Sequence, residues 1–232
     1  MTLNPVYGDR YFSDENGFEE SKSVFVNTCG VVERVKKSAG LFIGELGFGT
    51  GLNLLATLFC IEKSGVEQTE ISYYSVEKHP LPPQKISEII AEYSQNFPEI
   101  YDVFLENYGK LFSRIKDGFN SDVWFFGKLK VNFNLYFGDV NDFLNELDVK
   151  FDCWYLDGHS PDKNPEMWSE TVMKKIYEKS KIAATAATYT ACGLVKRNLR
   201  AAGFFVKRMK GFGIKRHKLF IEKRSADLET NL

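Results

Sequence analysis

The sequence predicts an α/β protein with a mostly parallel, doubly wound sheet. Short apolar runs alternate along the chain with segments of helical periodicity, and the first run leads through a Gly-rich turn straight into a helix. At 232 residues the chain has length for one full core and little more. One main domain is expected over residues 41–224, preceded by an extension over 1–40 and followed by a loose tail over 225–232.

The elements follow in order. Leu41–Leu46 is an apolar run ended by glycines, and Leu52, Leu55, Leu58, Phe59 and Ile61 then recur at helical spacing, which predicts strand, tight turn and helix. Ile71–Val76 is the second strand, closed by Glu77-Lys78-His79-Pro80. Ile86, Ile89, Ile90 and Tyr93 mark a second helix; Pro98 interrupts it, and helix resumes to about Lys116. Val123–Phe126 and Val131–Phe137, joined through Gly127-Lys128, predict a hairpin leading into a central strand. Phe151–Leu156 is another buried strand with Asp157-Gly158-His159 at its carboxyl end. Pro165 suits the first turn of a helix reaching about Lys179, with Asn164 as its cap. Ile182–Tyr189, rich in Ala and Thr, could be strand or helix, and sheet order favours strand. A helix over Cys192–Ala202, stopped by Gly203, precedes two last strands near Phe204–Met209 and Lys218–Glu222, expected to form an antiparallel edge. The extension has no place in that sheet, and Tyr11–Gly17 is expected to fold over a ligand cleft as a lid.

Composition narrows the function classes. The amino terminus has neither the basic flank nor the apolar run of a signal peptide, and no segment has the length of a bilayer span, so a cytoplasmic protein with no membrane partner is expected. Cys29, Cys60, Cys153 and Cys192 form no zinc or dithiol spacing and are expected as free thiols, with no metal site. The net charge of −1 conceals a division: residues 1–173 hold 15 Lys and Arg against 27 Asp and Glu, whereas residues 174–224 hold 15 against 2. That basic third, interleaved with Phe204, Phe205, Phe212 and His217, suits a polyanion whose counterions are released on binding; packing against the acidic part is the other reading.

Glu45-Leu46-Gly47-Phe48-Gly49-Thr50-Gly51 holds the sharpest chemistry. The dinucleotide fingerprint needs G-x-G-x-x-G, whereas this turn reads G-x-G-x-G with an acid in front. A carboxylate at Glu45 would repel a pyrophosphate and attract the ammonium of an amino-acid moiety, which favours S-adenosylmethionine. Glu77, ending the second strand, is placed to accept from both hydroxyls of a ribose. Asp139 either meets the adenine edge or caps the helix that starts near Asn141. Asp157 is placed at the mouth of the cleft, where a carboxylate near the sulfonium could orient an amine and take its proton. His159 is a second candidate base or a structural donor, and Trp168 either stacks on a flat substrate or is buried. The loop Lys210–His217, with Phe212, Lys215 and Arg216, combines glycine freedom and cations suited to a phosphate backbone.

Several of these stretches together resemble the methyltransferase domain of the bacterial enzyme that makes 5-methylaminomethyl-2-thiouridine at the tRNA wobble position. They are Tyr11-Phe12-Ser13 with Asn16-Gly17, Glu45–Asn53, Tyr74–Lys78 with Pro80-Leu81, Phe137-Gly138-Asp139, Leu156-Asp157-Gly158, Asn164–Trp168, Ala187–Thr190 and Lys210–Arg216, and they span almost the whole chain. The resemblance implies a Rossmann-like, class I S-adenosylmethionine-dependent methyltransferase with an antiparallel sheet edge. It implies a cofactor set of Glu45, Gly47, Gly49, Thr50, Gly51, Asn53, Glu77, Lys78 and Asp139, with Asp157 beside the transferred methyl. Trp168, Phe212, Lys215 and Arg216 are the expected substrate contacts. The implied reaction is N-methylation of 5-aminomethyl-(2-thio)uridine in tRNA; a small-molecule or protein acceptor is the alternative. Two positions depart from the family: His159 stands where an aromatic Phe is expected, and the chain ends soon after its last strand, without the flavin oxidase half of fused members. A separate oxidase partner, or a route giving the aminomethyl group directly, is therefore expected.

Overall fold

The computed structural model describes residues 3–4, 9–10, 16–38, 40–66, 69–213 and 215–225. Near the amino terminus β1 (Leu3–Asn4) pairs antiparallel with β2 (Asp9–Arg10). Helix follows from Asn16, whose side chain accepts from Glu19 N and caps α1 (Gly17–Ser21). One wide π turn over Lys22–Val26 leads into α2 (Asn27–Cys29), which ends where Gly30 turns left-handed and α3 (Val31–Val35) begins. Of the expected lid, Tyr11–Glu15 lie outside the described residues. The helices after it are part of the body: Phe18, Val24 and Phe25 are buried in the main core, with Phe18 against Phe59 and Phe25 against Tyr155.

The sheet contains β3 (Gly40–Leu46), β4 (Thr69–Glu77), β5 (Gly118–Phe126), β6 (Leu129–Phe137), β7 (Phe151–Leu156), β8 (Ser180–Thr188), β9 (Phe205–Lys210) and β10 (His217–Glu222). Their order is β5-β6-β4-β3-β7-β8-β10-β9. The pairs from β6 to β8 are parallel, while β5 and β10 run against their neighbours. The carboxyl edge of the expected edge pair is thus present, and β5 adds a second antiparallel margin. β6 lies one strand in from that margin rather than at the centre, which β3 and β4 occupy with β7.

The connecting helices are α4 (Leu52–Lys63), α5 (Pro83–Ile90), α6 (Pro98–Phe112), α7 (Val140–Glu146), α8 (Glu170–Glu178) and α9 (Gly193–Ala201). Pro98 starts α6 after a 3₁₀ stretch over Ala91–Asn96, so the interruption read from that proline is present. Pro165 opens only a short 3₁₀ turn to Trp168. The cap of α8 is Ser169, which accepts from Val172 N, because the chain is extended at Ser169 and Asn164 makes no capping bond.

Two apolar layers enclose the sheet. One side gathers Ile43, Tyr73, Phe133 and Tyr155 beneath α1–α6; the other gathers Trp154, Phe151 and Ala186 with α7–α9. Burial of this kind, at about 25 cal/mol per Å² of apolar surface, is what holds the strand ends in place. All four cysteines are free; Cys29 and Cys153 are buried and adjoin through backbone carbonyls, while Cys60 and Cys192 are half-buried. No helix among the described residues is long and apolar enough to cross a membrane.

Candidate active site

Parallel strands aim their last carbonyls and side chains at one edge of the sheet, and the ends of β3, β4, β6 and β7 meet there. Glu45 is the penultimate residue of β3, in register with Ser75 of β4 and Tyr155 of β7. It is completely buried. Ser75 Oγ donates to its Oε2 at 2.7 Å and Asn53 Nδ2, from the first turn of α4, donates to Oε1 at 2.9 Å. Burial nevertheless dominates and pushes its carboxyl up to about 8.

Gly47, Gly49 and Gly51 all have positive φ, at 86°, 55° and 75°. Gly47 also needs the missing side chain for space: a Cβ there would lie 2.2 Å from the carbonyl oxygen of Asp157. Phe48 pins the turn between Tyr108, Phe104 and Phe133. The turn's amides are largely engaged within the protein. Those of Gly47 and Phe48 donate to Val76 O, that of Gly51 to Phe48 O, and that of Gly49 to Glu77 Oε2 at 2.9 Å. A pyrophosphate-binding turn would leave such donors free. This one favours a ligand that is itself a donor.

Asn53 supplies the other half of that argument. Its Nδ2 donates both to Glu45 and, at 2.7 Å, to Asp157 Oδ2, while its Oδ1 is buried with no partner. Two carboxyls and an orphaned acceptor around one amide fit an ammonium group. Glu77, at the end of β4, accepts from Gly49 N on one carboxylate oxygen and from His79 N on the other. Asp139 does cap α7 by accepting from Asn141 N, and its second oxygen meets Lys78 Nζ at 3.4 Å. Burial works to raise its carboxyl, but the hydrogen bonds from Asn141 and Lys78 outweigh it and hold the group below its usual value. Thr50 is buried within the turn.

Asp157 follows the last residue of β7 and opens partly on the cleft. Burial among protein atoms pushes its carboxyl up to about 7, with the Asn53 hydrogen bond and the Lys215 charge opposing and the Glu20 charge adding. Its turn is braced from two sides. Tyr189 Oη donates to Gly158 O at 2.7 Å, and Trp168 Nε1 donates to His159 O at 2.9 Å.

Three sequence expectations change in this light. Trp168 is 1% exposed, so its ring supports the Asp157 turn and is closed to a flat substrate. Phe212 packs half-buried on the main core. Lys215, expected as a free cation for phosphate, pairs with Glu20, 2.6 Å away, and lies over the Tyr189 ring. Arg216, by contrast, is exposed as expected, beside an exposed row of Lys207, Arg208 and Lys210 on β9. Sequence reading missed Ser75, Glu20 and the bracing hydroxyl of Tyr189. Ser75 had a legible signal, being the polar member of an otherwise apolar inward row, Ile71, Tyr73 and Ser75. Glu20 had none.

The geometry can be set beside known proteins. A family model described as S-adenosyl-L-methionine-dependent methyltransferase matches residues 120–223. Those residues carry the match to that family. The chain is 39% identical over 220 residues to the tRNA 5-methylaminomethyl-2-thiouridine biosynthesis bifunctional protein MnmC of Ectopseudomonas mendocina, a match covering 94% of this chain and 32% of that protein. It is 38% identical over 223 residues to the MnmC of Leptospira borgpetersenii, covering 94% and 33%. It thus spans about a third of the length of these curated relatives. Among solved structures, MnmC2 from Aquifex aeolicus superposes with a TM-score of 0.70 at 24% identity, covering 97% of this chain and 67% of that one, which establishes a common fold. Among the described residues no group of three or more His, Cys, Asp or Glu is placed to hold a metal.

Proposed function

We propose that this methyltransferase acts on tRNA, converting 5-aminomethyl-(2-thio)uridine at the wobble position to 5-methylaminomethyl-(2-thio)uridine. The reading is supported by Asp157, a half-buried carboxyl just past the end of β7, raised to about 7 and tied through Asn53 to the buried Glu45. An exocyclic amine arrives as an ammonium and must lose a proton before its nitrogen can attack. A base whose affinity for protons matches the working pH is the suitable acceptor.

S-adenosylmethionine, when bound, supplies the methyl on a sulfonium. Glu45 would hold its ammonium, with Asn53 Oδ1 as a further acceptor; Glu77 would hold the ribose hydroxyls, and Asp139 with Lys78 would border the adenine. Asp157 would orient the acceptor amine and take the proton from its ammonium form, which frees the nitrogen lone pair for the methyl carbon. Because the sulfonium already carries the activation, the chain need supply only position and a proton acceptor.

The nucleic-acid substrate is supported by the names of the curated relatives and by the exposed cations Lys207, Arg208, Lys210 and Arg216 at the outer edge of the sheet. Such a role belongs in the cytoplasm, and the precursor amine is expected from a separate oxidase partner or an independent route. The test is methyl transfer from radiolabelled S-adenosylmethionine to tRNA from cells lacking this protein, with nucleoside analysis. Label in 5-methylaminomethyl-2-thiouridine is expected. Absence of label in tRNA shown to hold the aminomethyl precursor, by a protein that binds the cofactor, would refute the reading and direct attention to a small-molecule or protein acceptor.

A further inference from the structure

Two side chains of opposite charge act on Asp157 from outside its own turn. Glu20 comes from α1 with its side chain only 8% exposed; Lys215 comes from the loop between β9 and β10, its Nζ 2.6 Å from Glu20 Oε1. The same ammonium lies 4.4 Å from the centroid of the Tyr189 ring, and Tyr189 in turn donates to the carbonyl of Gly158, the residue after Asp157. The pair is therefore fixed to the turn it influences. Nothing in a phosphate-binding role requires a lysine to be held in this way.

We propose that Glu20 and Lys215 together set the charge state of Asp157, the lysine drawing it toward the carboxylate and the glutamate toward the protonated acid. The directions agree: the Lys215 charge lowers the Asp157 pKa and the Glu20 charge raises it, leaving burial as the leading cause of its elevation. The other groups around Asp157 belong to every neighbouring element. They are Asn53 of α4, Glu45 of β3, Tyr73 of β4 with Tyr155 of β7 below it, Tyr189 after β8, and His159 in the same turn. None of these supplies a lysine or arginine. Among these described groups Lys215 is the cation that works against the acids, and Glu20 is the anion that works against Lys215. Both are positioning residues, acting on the proposed reaction through Asp157. The inference for catalysis rests on Asp157 being the proton acceptor; the charge balance itself does not.

The pair makes signed predictions that a merely structural ion pair does not. Lys215→Met leaves Glu20 beside Asp157 as a second acid and should raise the Asp157 midpoint by on the order of one pH unit. Glu20→Gln leaves the lysine unopposed and should lower it by a similar amount. The double variant Glu20→Gln/Lys215→Met removes both effects and should return it to within about half a unit of the native value.

The experiment is a pH titration of the full chain labelled with ¹³C at aspartate carboxyls, followed by NMR, with the Asp157 signal identified by its loss in Asp157→Asn. Opposite shifts in the single variants and recovery in the double are expected. Unmoved midpoints, or shifts in the same direction, would overturn the proposal. Should one single variant fail to fold, the other decides against the double variant: a midpoint that does not move in the predicted direction relative to the double refutes the balance. Methyl transfer separates the two ideas. If Asp157→Asn keeps its turnover, the role of Asp157 as base fails while the titration still judges the charge balance. If Asp157→Asn is inactive and the midpoints do not move, the balance fails and the base stands.

Discussion

Replacing Glu45 with Gln should uncouple cofactor affinity from pH. In the free protein the Glu45 carboxyl titrates at about 8, against an ordinary 4.5, chiefly because it is buried. At pH 7 it is therefore about nine-tenths protonated, and receiving an ammonium requires that proton to leave. Each pH unit below the midpoint costs about 1.4 kcal/mol of binding, a factor of ten in Kd. Native affinity should rise roughly tenfold from pH 6 to pH 7 and level near pH 8, where an α-amino group begins to lose its own proton. In Glu45→Gln the dependence should vanish, and affinity at pH 8 should fall by about 1.5–3 kcal/mol, the value of a charge-assisted hydrogen bond. At pH 6 the two proteins should bind almost equally.

Isothermal titration calorimetry in phosphate and in Tris reads the released proton directly, as a difference in heat between buffers. Asp157→Asn serves as the control, since it should retain the linkage of Glu45. Native binding that is flat between pH 6 and 7.5, with equal heats in both buffers, would show that Glu45 does not give up a proton to the ligand. The same group makes a ligand-free prediction. Its folded pKa is raised, so its contribution to stability is complete below about pH 4.5 and is lost as pH rises to about 8. Glu45→Gln should accordingly melt higher than the native chain at pH 8.5 and close to it at pH 5.

Gly47→Ala should impair cofactor binding and turnover together, by at least tenfold, because its Cβ would sit 2.2 Å from Asp157 O and its φ of 86° is strained for alanine by about 1–2 kcal/mol; unchanged calorimetric affinity would refute the close approach. Trp168→Phe removes the bond to His159 O and part of a buried ring, and should lower stability by about 1–3 kcal/mol in urea melts. Charge reversal at Arg208 and Arg216 should weaken tRNA binding and reduce the slope of log affinity against log salt by about one to two, with cofactor affinity unchanged; an unaltered slope would place the RNA surface elsewhere.

What the sequence revealed was governed by local rules. The strand, turn and helix around Glu45–Asn53 were legible because glycine spacing, an apolar run and helical periodicity agree over a short stretch. The Ala- and Thr-rich segment Ile182–Tyr189 was placed by sheet order, and it forms β8. Long-range pairing was not legible in the same way. Lys215 looked like a phosphate contact because its neighbours are cations and glycines, yet its position is decided by Glu20, 195 residues earlier. Trp168 offered stacking or burial from its type alone, and the carbonyl of His159 settled it for burial. Asp139 carried two readings, and its capping bond to Asn141 N leaves the second oxygen to Lys78 and the cleft.

One electrostatic idea joins these residues. Glu45 and Asp157 share the single amide of Asn53; Glu45 is completely buried and Asp157 half-buried, so ionising both is costly even with the Lys215 charge acting on Asp157. Both have raised pKa values, so the free site relieves its excess of acid by holding protons. In the proposed function ligands would bring the compensation: an ammonium to Glu45, and a protonated amine to Asp157. On this view the proton leaving Glu45 marks cofactor entry, and the proton reaching Asp157 marks methyl transfer, two events separated by one asparagine. Asn53→Leu should therefore cost more than its two hydrogen bonds. It would leave both carboxyls with one donor fewer, push both pKa values higher, and shift cofactor affinity and the acid limb of kcat/KM to higher pH together. A shift in only one of the two profiles would show that the carboxyls are set independently, and the amide between them would then be no more than packing.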